Sequence, residues 1–143
     1  MFKKINKKGF TLAELLIVVA IIGVLVAISI PIFTAQLQKA RVATNQANAR
    51  AAYAAATATY LGLSESEKPT AAFSYTYVVK TGKLQSDTYA SGGEAKITKP
   101  VSEWASGDKY DGSTELGNKV AGKWTVEMAA DGTLSGFTGA DGD

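Results

Sequence analysis

The feature that most constrains this chain is a long uncharged segment that follows one acidic residue near the N-terminus. After Glu14, no charged residue occurs in 15–38, and most of these side chains are apolar. As an α-helix the segment would extend about 36 Å, which exceeds the roughly 30 Å hydrocarbon core of a bilayer. A carboxylate costs about 2.5–3.5 kcal/mol at mid-bilayer, so an acid at the edge of such a helix indicates a function and a partner.

Composition argues against several classes of protein. The chain has no histidine and no cysteine, which removes the commonest general base, the commonest metal ligands and any disulfide. An ordinary hydrolase or zinc enzyme is therefore not expected, and neither is a cofactor. Four of the fifteen cations lie in 1–9, which leaves 11 basic and 13 acidic groups in the remainder. This balance does not favour a nucleic-acid partner.

A lysine-rich start before an apolar run is also typical of two ordinary targeting segments. A secretory signal would be removed after a small-x-small triplet, here Ala27 to Ser29. A single-pass anchor would be kept uncleaved, with its lysines on the cytoplasmic side. The charge of Glu14 at the entrance and a helical pattern that continues past Ser29 argue against the simple secretory signal.

Residues 7–15 carry a more specific pattern: Lys-Lys-Gly-Phe-Thr-Leu-Ala-Glu-Leu. This resembles the signature of type IV pilins, which combines a short basic leader, a Gly–Phe junction and glutamate as the fifth residue after it. The resemblance covers about 3–61 and is strongest in 7–33. It implies that a prepilin peptidase removes a leader, 1–9, by cutting after Gly9. It also implies that Phe10 becomes N-methylphenylalanine and that the apolar helix is retained.

The chemistry of this junction follows from its residues. Gly9 has no side chain, so a protease can approach its backbone closely. Cleavage would create an α-amino group on Phe10, and Glu14 lies four residues further on the same helix face. The two charges can neutralise one another within a subunit or between neighbours. The resemblance implies the second arrangement, in which we expect Glu14 to lack a partner until a neighbouring copy supplies its N-terminus.

The resemblance implies a structural subunit that polymerises with copies of itself into an extracellular type IV pilus. The precursor would lie in the cytoplasmic membrane, with its N-terminus inside, its head outside and lipid around its helix. A membrane assembly machine would then transfer it to the pilus, whose roles in adhesion or motility follow from the resemblance alone. The alternatives are a pseudopilin of a type II secretion or DNA-uptake system, and an uncleaved membrane-anchored extracellular binding module.

Periodicity predicts one helix from about residue 11 to 61, with an apolar part in 10–33 and an amphipathic part in 34–61. Gly62 is a credible stop. The predicted core stripe recurs at steps of three and four: Phe33, Leu37, Ala40, Thr44, Ala47, Ala51, Ala55, Ala58 and Leu61. Gly23 and Pro31 weaken the helix. They predict either a simple kink or local melting when helices bundle, and the sequence favours neither.

The composition changes in 62–143, which is rich in glycine. This change predicts a β-rich globular head. The residues 123–128 and 133–137 flank an Asp-Gly pair and predict a hairpin. A weaker strand is predicted at 96–99, and 73–84 reads as a strand or as a strand followed by a short helix. The predicted fold class is α+β, with the stripe of the long helix covering three or four antiparallel strands.

Two further groups of residues in the head have alternative interpretations. Asp108, Asp111 and Glu115 form an acidic loop that is either solvated or a calcium site, although EF-hand spacing is missing. The aromatic residues of the second group form either an adhesive surface or, by default, the core. They are Trp104, Tyr110 and Trp124. Many type IV pilins close this region with a disulfide, which this chain cannot form.

Overall fold

The computed structural model describes residues 9–85 and 96–142, so the predicted leader lies almost entirely outside the described residues. One long helix is followed by a four-stranded antiparallel sheet, which confirms the predicted α+β fold. The elements are the helix α1 (Leu12–Leu61), the strands β1 (Phe73–Val78), β2 (Lys83–Gln85), β3 (Lys123–Met128) and β4 (Leu134–Ala140), and a 3-10 turn (Val101–Glu103).

The chain divides into two compact units, one ending at Gln36 and one beginning at Leu37. In the N-terminal unit, the large apolar side chains from Leu15 to Phe33 are between 47% and 69% exposed. By length and composition, α1 is long and apolar enough to cross a membrane. This unit therefore presents an apolar surface that its own residues do not cover.

The sheet of the second unit has the strand order β2-β1-β3-β4, with every neighbouring pair antiparallel. The predicted hairpin is β3 and β4. Its turn contains Gly132 at φ 86°, and a Cβ there would also lie 2.4 Å from the ring of Tyr60. The conformation and the close approach therefore both require glycine at this turn.

The ambiguous segment 73–84 is a second hairpin. Its first part is the strand β1, as predicted, whereas the predicted alternative of a helix after Val79 is wrong. The chain instead turns through Gly82, at φ 67°, and returns as β2. The weaker strand predicted at 96–99 is limited to one bridge, in which Ile97 and Phe137 exchange two backbone hydrogen bonds of 2.8 and 3.0 Å.

The helix face that covers the sheet differs from the predicted stripe. The buried residues of α1 are Val42, Asn45, Ala49, Ala52, Ala56 and Tyr60. Residues of the predicted stripe such as Ala40, Thr44 and Ala58 are exposed instead. Alanine occupies most sides of the helix between 40 and 58, so the pattern carries little contrast between one face and another.

The aromatic residues of the head form its core rather than an adhesive surface. Trp104 stacks on Trp124 with ring centroids 5.2 Å apart, and Phe137 meets the Trp104 ring edge-on at 5.6 Å. Tyr110 is fully buried beside Trp124. A Cβ at Gly139 would lie 2.4 Å from the Tyr110 ring, so this strand position accepts only glycine without rearrangement.

A fully buried amide of α1 holds the segment 96–122, the described part of the connection between β2 and β3. The side-chain nitrogen of Asn45 donates to the carbonyls of Leu116 and Lys119, at 2.9 and 3.0 Å. Its oxygen accepts from the Ala121 N–H at 3.0 Å. One side chain thus satisfies three backbone groups that α1 would otherwise bury without partners.

We predict that Asn45→Leu lowers the free energy of unfolding of the head by about 3 kcal/mol. Leucine has a similar size but leaves two carbonyls and one N–H without partners, each costing about 1–3 kcal/mol if it stays buried. Denaturant titration of the full chain in detergent, followed by tryptophan fluorescence, measures the change. Asn48→Leu is the matched control, because the Asn48 side chain is half-buried and makes no hydrogen bond to any other described residue. Equal effects of the two substitutions would contradict this role of Asn45.

The predicted acidic loop is organised by its own hydrogen bonds. Burial alone would raise the pKa of Asp111, but hydrogen bonds from Thr114 and Ser113, both backbone and side-chain, lower it to about 2. The Lys99 ammonium, together with the Ala105 N–H, also lowers the pKa of Asp108. Among the described residues, no group of three or more potential metal ligands lies close enough to share an ion.

These lowered pKa values predict the acid response of the head. A carboxyl group with a depressed folded-state pKa stabilises the fold above its unfolded pKa of about 3.9, and this stabilisation is lost as pH falls towards 2. We therefore expect the free energy of unfolding to fall between pH 5 and pH 2 by less in Asp111→Asn than in the wild type. Denaturant titration at the two pH values measures this. Glu103→Gln is the matched control, because Glu103 is an exposed carboxylate without a side-chain partner among the described residues.

Candidate processing and assembly site

The predicted cleavage junction lies immediately before the first turn of α1. Gly9 and Phe10 are outside the helix, which begins at Leu12, and the Phe10 side chain is 86% exposed. The Gly9–Phe10 peptide bond is therefore non-helical and lies next to exposed residues. No helical hydrogen bonds would have to be broken before a protease could reach this bond.

The start of the helix is held by a reciprocal pair of hydrogen bonds between Thr11 and Glu14. The Glu14 N–H donates to Thr11 Oγ1 at 3.2 Å, and the Thr11 N–H donates to Glu14 Oε2 at 3.1 Å. This is a capping box, in which an N-cap hydroxyl and the carboxylate three residues later each satisfy a free backbone N–H. A carboxylate in the first turn is further favoured by the helix dipole.

The capping box corrects one expectation from the sequence. Glu14 already has a hydrogen-bond donor in its own chain, so the prediction that its carboxylate lacks any partner before assembly is wrong. The reason is local, because a helix leaves its first N–H groups free and Glu14 stands three residues from the N-cap. The N–H of Thr11 is neutral, however, and the negative charge of Glu14 has no cation beside it in the described chain.

Thr11 is the residue of this site that the sequence interpretation did not single out. The signal was present, since threonine followed three residues later by glutamate before an apolar run is the sequence signature of a capping box. The structure thus brings Gly9, Phe10, Thr11 and Glu14 together within one short segment, while Gly23 and Pro31 lie further along α1.

The helix continues through both predicted weak points. A Cβ at Gly23 would meet no described residue within 4 Å, so packing within the described part of the chain does not require glycine there. Near Pro31, the hydroxyls of Ser29 and Thr34 donate to the carbonyls of Leu25 and Ile30, at 2.7 and 3.0 Å. These bonds satisfy polar groups without water, as a helix in lipid requires. The choice between a kink and melting in a bundle stays a prediction.

Comparison with known proteins identifies the type of N-terminus. Residues 4–30 match the family described as the prokaryotic N-terminal methylation motif, which includes the Gly9–Phe10 junction and Glu14. Over 59 residues, 39% of this chain, the chain is 51% identical to the type IV narrow pilus major component PilA5 of Thermus thermophilus. The N-terminal part of the chain is therefore similar to a type IV pilus component.

A second relative is the fimbrial protein EcpB of Eikenella corrodens, which is 53% identical over 37 residues, 26% of this chain. The matches span 51% of the length of PilA5 and 23% of the length of EcpB. No solved structure is significantly similar to the chain. The methylation motif and the apolar helix fit a membrane-anchored precursor and an extracellular pilus.

Proposed function

We propose that this protein is a structural subunit of an extracellular type IV pilus and not an enzyme. Its leader is cut after Gly9 by a prepilin peptidase, and the new N-terminal Phe10 is N-methylated. The observation that carries the proposal is the match of 4–30 to the methylation motif. This segment includes Gly9 at the junction and the carboxylate of Glu14 five residues after it. The names of PilA5 and EcpB, a pilus component and a fimbrial protein, support the same function.

The exposed apolar surface of the N-terminal unit supports assembly through this part of the helix. Water disfavours apolar surface by about 25 cal/mol per Å². Leu15 to Phe33 therefore need lipid around them in the precursor and other copies of the same helix in the filament. A membrane assembly machine would carry the subunit from one environment to the other, with the N-terminus inside and the head outside.

The charges of the junction support a register for this assembly. In the proposed filament, the carboxylate of Glu14 in an incoming subunit pairs with the α-amino group of Phe10 in a neighbouring subunit. Each charge is costly in an apolar environment, so an axial position that leaves them apart is disfavoured. The amino group exists only after cleavage, and maturation would therefore precede assembly.

The N-terminal mass of the protein in sheared surface filaments tests the proposal. We expect a chain that starts at Phe10 and carries one additional methyl group. A chain that retains Met1 to Gly9 would point to the membrane-anchored binding module, and a start at Ile30 would show ordinary secretion. Near absence of a correctly processed chain from sheared filaments would instead favour the pseudopilin alternative.

A further inference from the structure

The two halves of the capping box differ in what they do for the N-terminal segment. Thr11 Oγ1 accepts from the Glu14 N–H and so holds the first turn, whereas Glu14 Oε2 accepts from the Thr11 N–H and so fixes the direction of the carboxylate. The donating nitrogen of Thr11 lies one residue after Phe10. The carboxylate is therefore held beside the point at which cleavage would create an amino group.

We propose that Thr11 is a positioning residue for Glu14: its hydroxyl holds the first turn of the helix, so that the Glu14 carboxylate points towards the N-terminus during assembly. This inference rests on the proposed pilus function and goes beyond it by assigning a role to Thr11. In the described chain, the Thr11 side chain has one hydrogen-bond partner, the N–H of Glu14.

The physical basis is the cost of losing an N-cap. Without a side-chain acceptor, the Glu14 N–H needs another partner, and neither lipid nor an apolar filament core supplies one. Loss of a threonine N-cap typically shifts the equilibrium of the first turn about fivefold towards the frayed form. The carboxylate of a frayed turn has many orientations, and ordering it again during assembly opposes polymerisation.

Substitutions at Thr11 separate capping from side-chain shape. Serine and asparagine are good N-cap residues, although asparagine differs from threonine in shape and charge distribution. Valine has the shape of threonine but no acceptor. If Thr11 acts by capping, Thr11→Ser and Thr11→Asn retain function while Thr11→Val loses it. If Thr11 acts through packing of its methyl group, the order is reversed.

The experiment uses the full-length precursor in a host that assembles it, with two measurements on each variant. Intact mass gives the fraction cleaved after Gly9, and the sheared fraction gives the share of cleaved protein that forms filaments. We expect unchanged cleavage in all variants, wild-type assembly within about twofold for Thr11→Ser and Thr11→Asn, and about fivefold less assembly for Thr11→Val. In detergent micelles, amide exchange at Glu14 should be about fivefold faster in Thr11→Val alone.

Three results would overturn the inference. Thr11→Val that assembles as the wild type would show that the hydroxyl is not needed, and Thr11→Asn as defective as Thr11→Val would show that shape matters instead. A cleavage defect that accounts for all lost filaments would assign Thr11 to processing. Failure of the proposed function is distinguishable, because the wild type itself would then yield no filaments with Phe10 at the N-terminus.

Discussion

Glu14→Gln is expected to be cleaved normally after Gly9 but to form filaments at least about tenfold less well than the wild type. Glutamine is as suitable as glutamate at the third position of a capping box, so the hydrogen bond from the Thr11 N–H can be retained. The substitution therefore removes the charge while keeping the first turn. Removing one partner of a buried ion pair typically costs about 3–5 kcal/mol, because the other charge stays buried alone.

The measurement for Glu14→Gln is the ratio of filamentous to total processed protein, with intact mass as the test of processing. Glu14→Ala should assemble as poorly or worse, since it also loses half of the capping box. Glu65→Gln is the matched control, because Glu65 is an exposed acid whose ion pair with Lys68 lies at the surface. Normal filaments from Glu14→Gln would refute the proposed pairing of Glu14 with Phe10.

Gly9→Val is expected to abolish maturation, so that the protein accumulates as uncleaved precursor without filaments. A branched side chain at the residue before the scissile bond would keep the peptidase from approaching the backbone. The described part of the fold does not need glycine at this position, because a Cβ on Gly9 would meet none of the described residues within 4 Å. A block in processing would therefore reflect recognition by the peptidase rather than misfolding of the precursor.

Membrane fractions of cells expressing Gly9→Val are suited to this test, with precursor and mature protein separated by intact mass. Gly107→Val is the matched control, since a Cβ on Gly107 would also lie more than 4 Å from the other residues that the structure describes. We expect this control to be processed as the wild type. Recovery of a mature chain of normal mass from Gly9→Val would show that the cut lies at another bond.

Much of the N-terminal segment could be predicted because its properties are local. An apolar run without charges predicts a helix and an apolar environment, and the junction at Gly9 and Phe10 is a pattern of adjacent residues. The helix was predicted from about residue 11 and begins at Leu12. The β3–β4 hairpin was equally accessible, since alternation in 123–128 and an Asp-Gly turn are short-range signals.

The buried face of the helix could not be predicted from local patterns of this kind. Alanine is compatible with helix core and helix surface alike, so the spacing of alanines does not say which side packs on the sheet. A few larger residues select the face that packs on the sheet. The Tyr60 ring stacks on the Phe73 ring with centroids 5.5 Å apart, and the Asn45 side chain donates a hydrogen bond to the backbone of the segment 96–122. An asparagine in a helix is normally expected at the surface. Asn45 is a core residue only because its hydrogen-bond partners, which lie far along the chain, are buried with it.

The long helix, its apolar half, the proposed processing junction and the acid of Glu14 could all be inferred from the sequence alone, because each depends on neighbouring residues or on the preference of side chains for water or lipid. The folded chain was needed to show which helix face meets the sheet, how β1 turns back into β2, and how Asn45 replaces water for the backbone of 116–121. The packing of the helix face and the contacts of Asn45 join groups that are distant in the chain, and their free energies depend on burial that exists only after folding. The β1–β2 turn is local, but its sequence is compatible with a strand and with a short helix, so the local pattern did not decide between them.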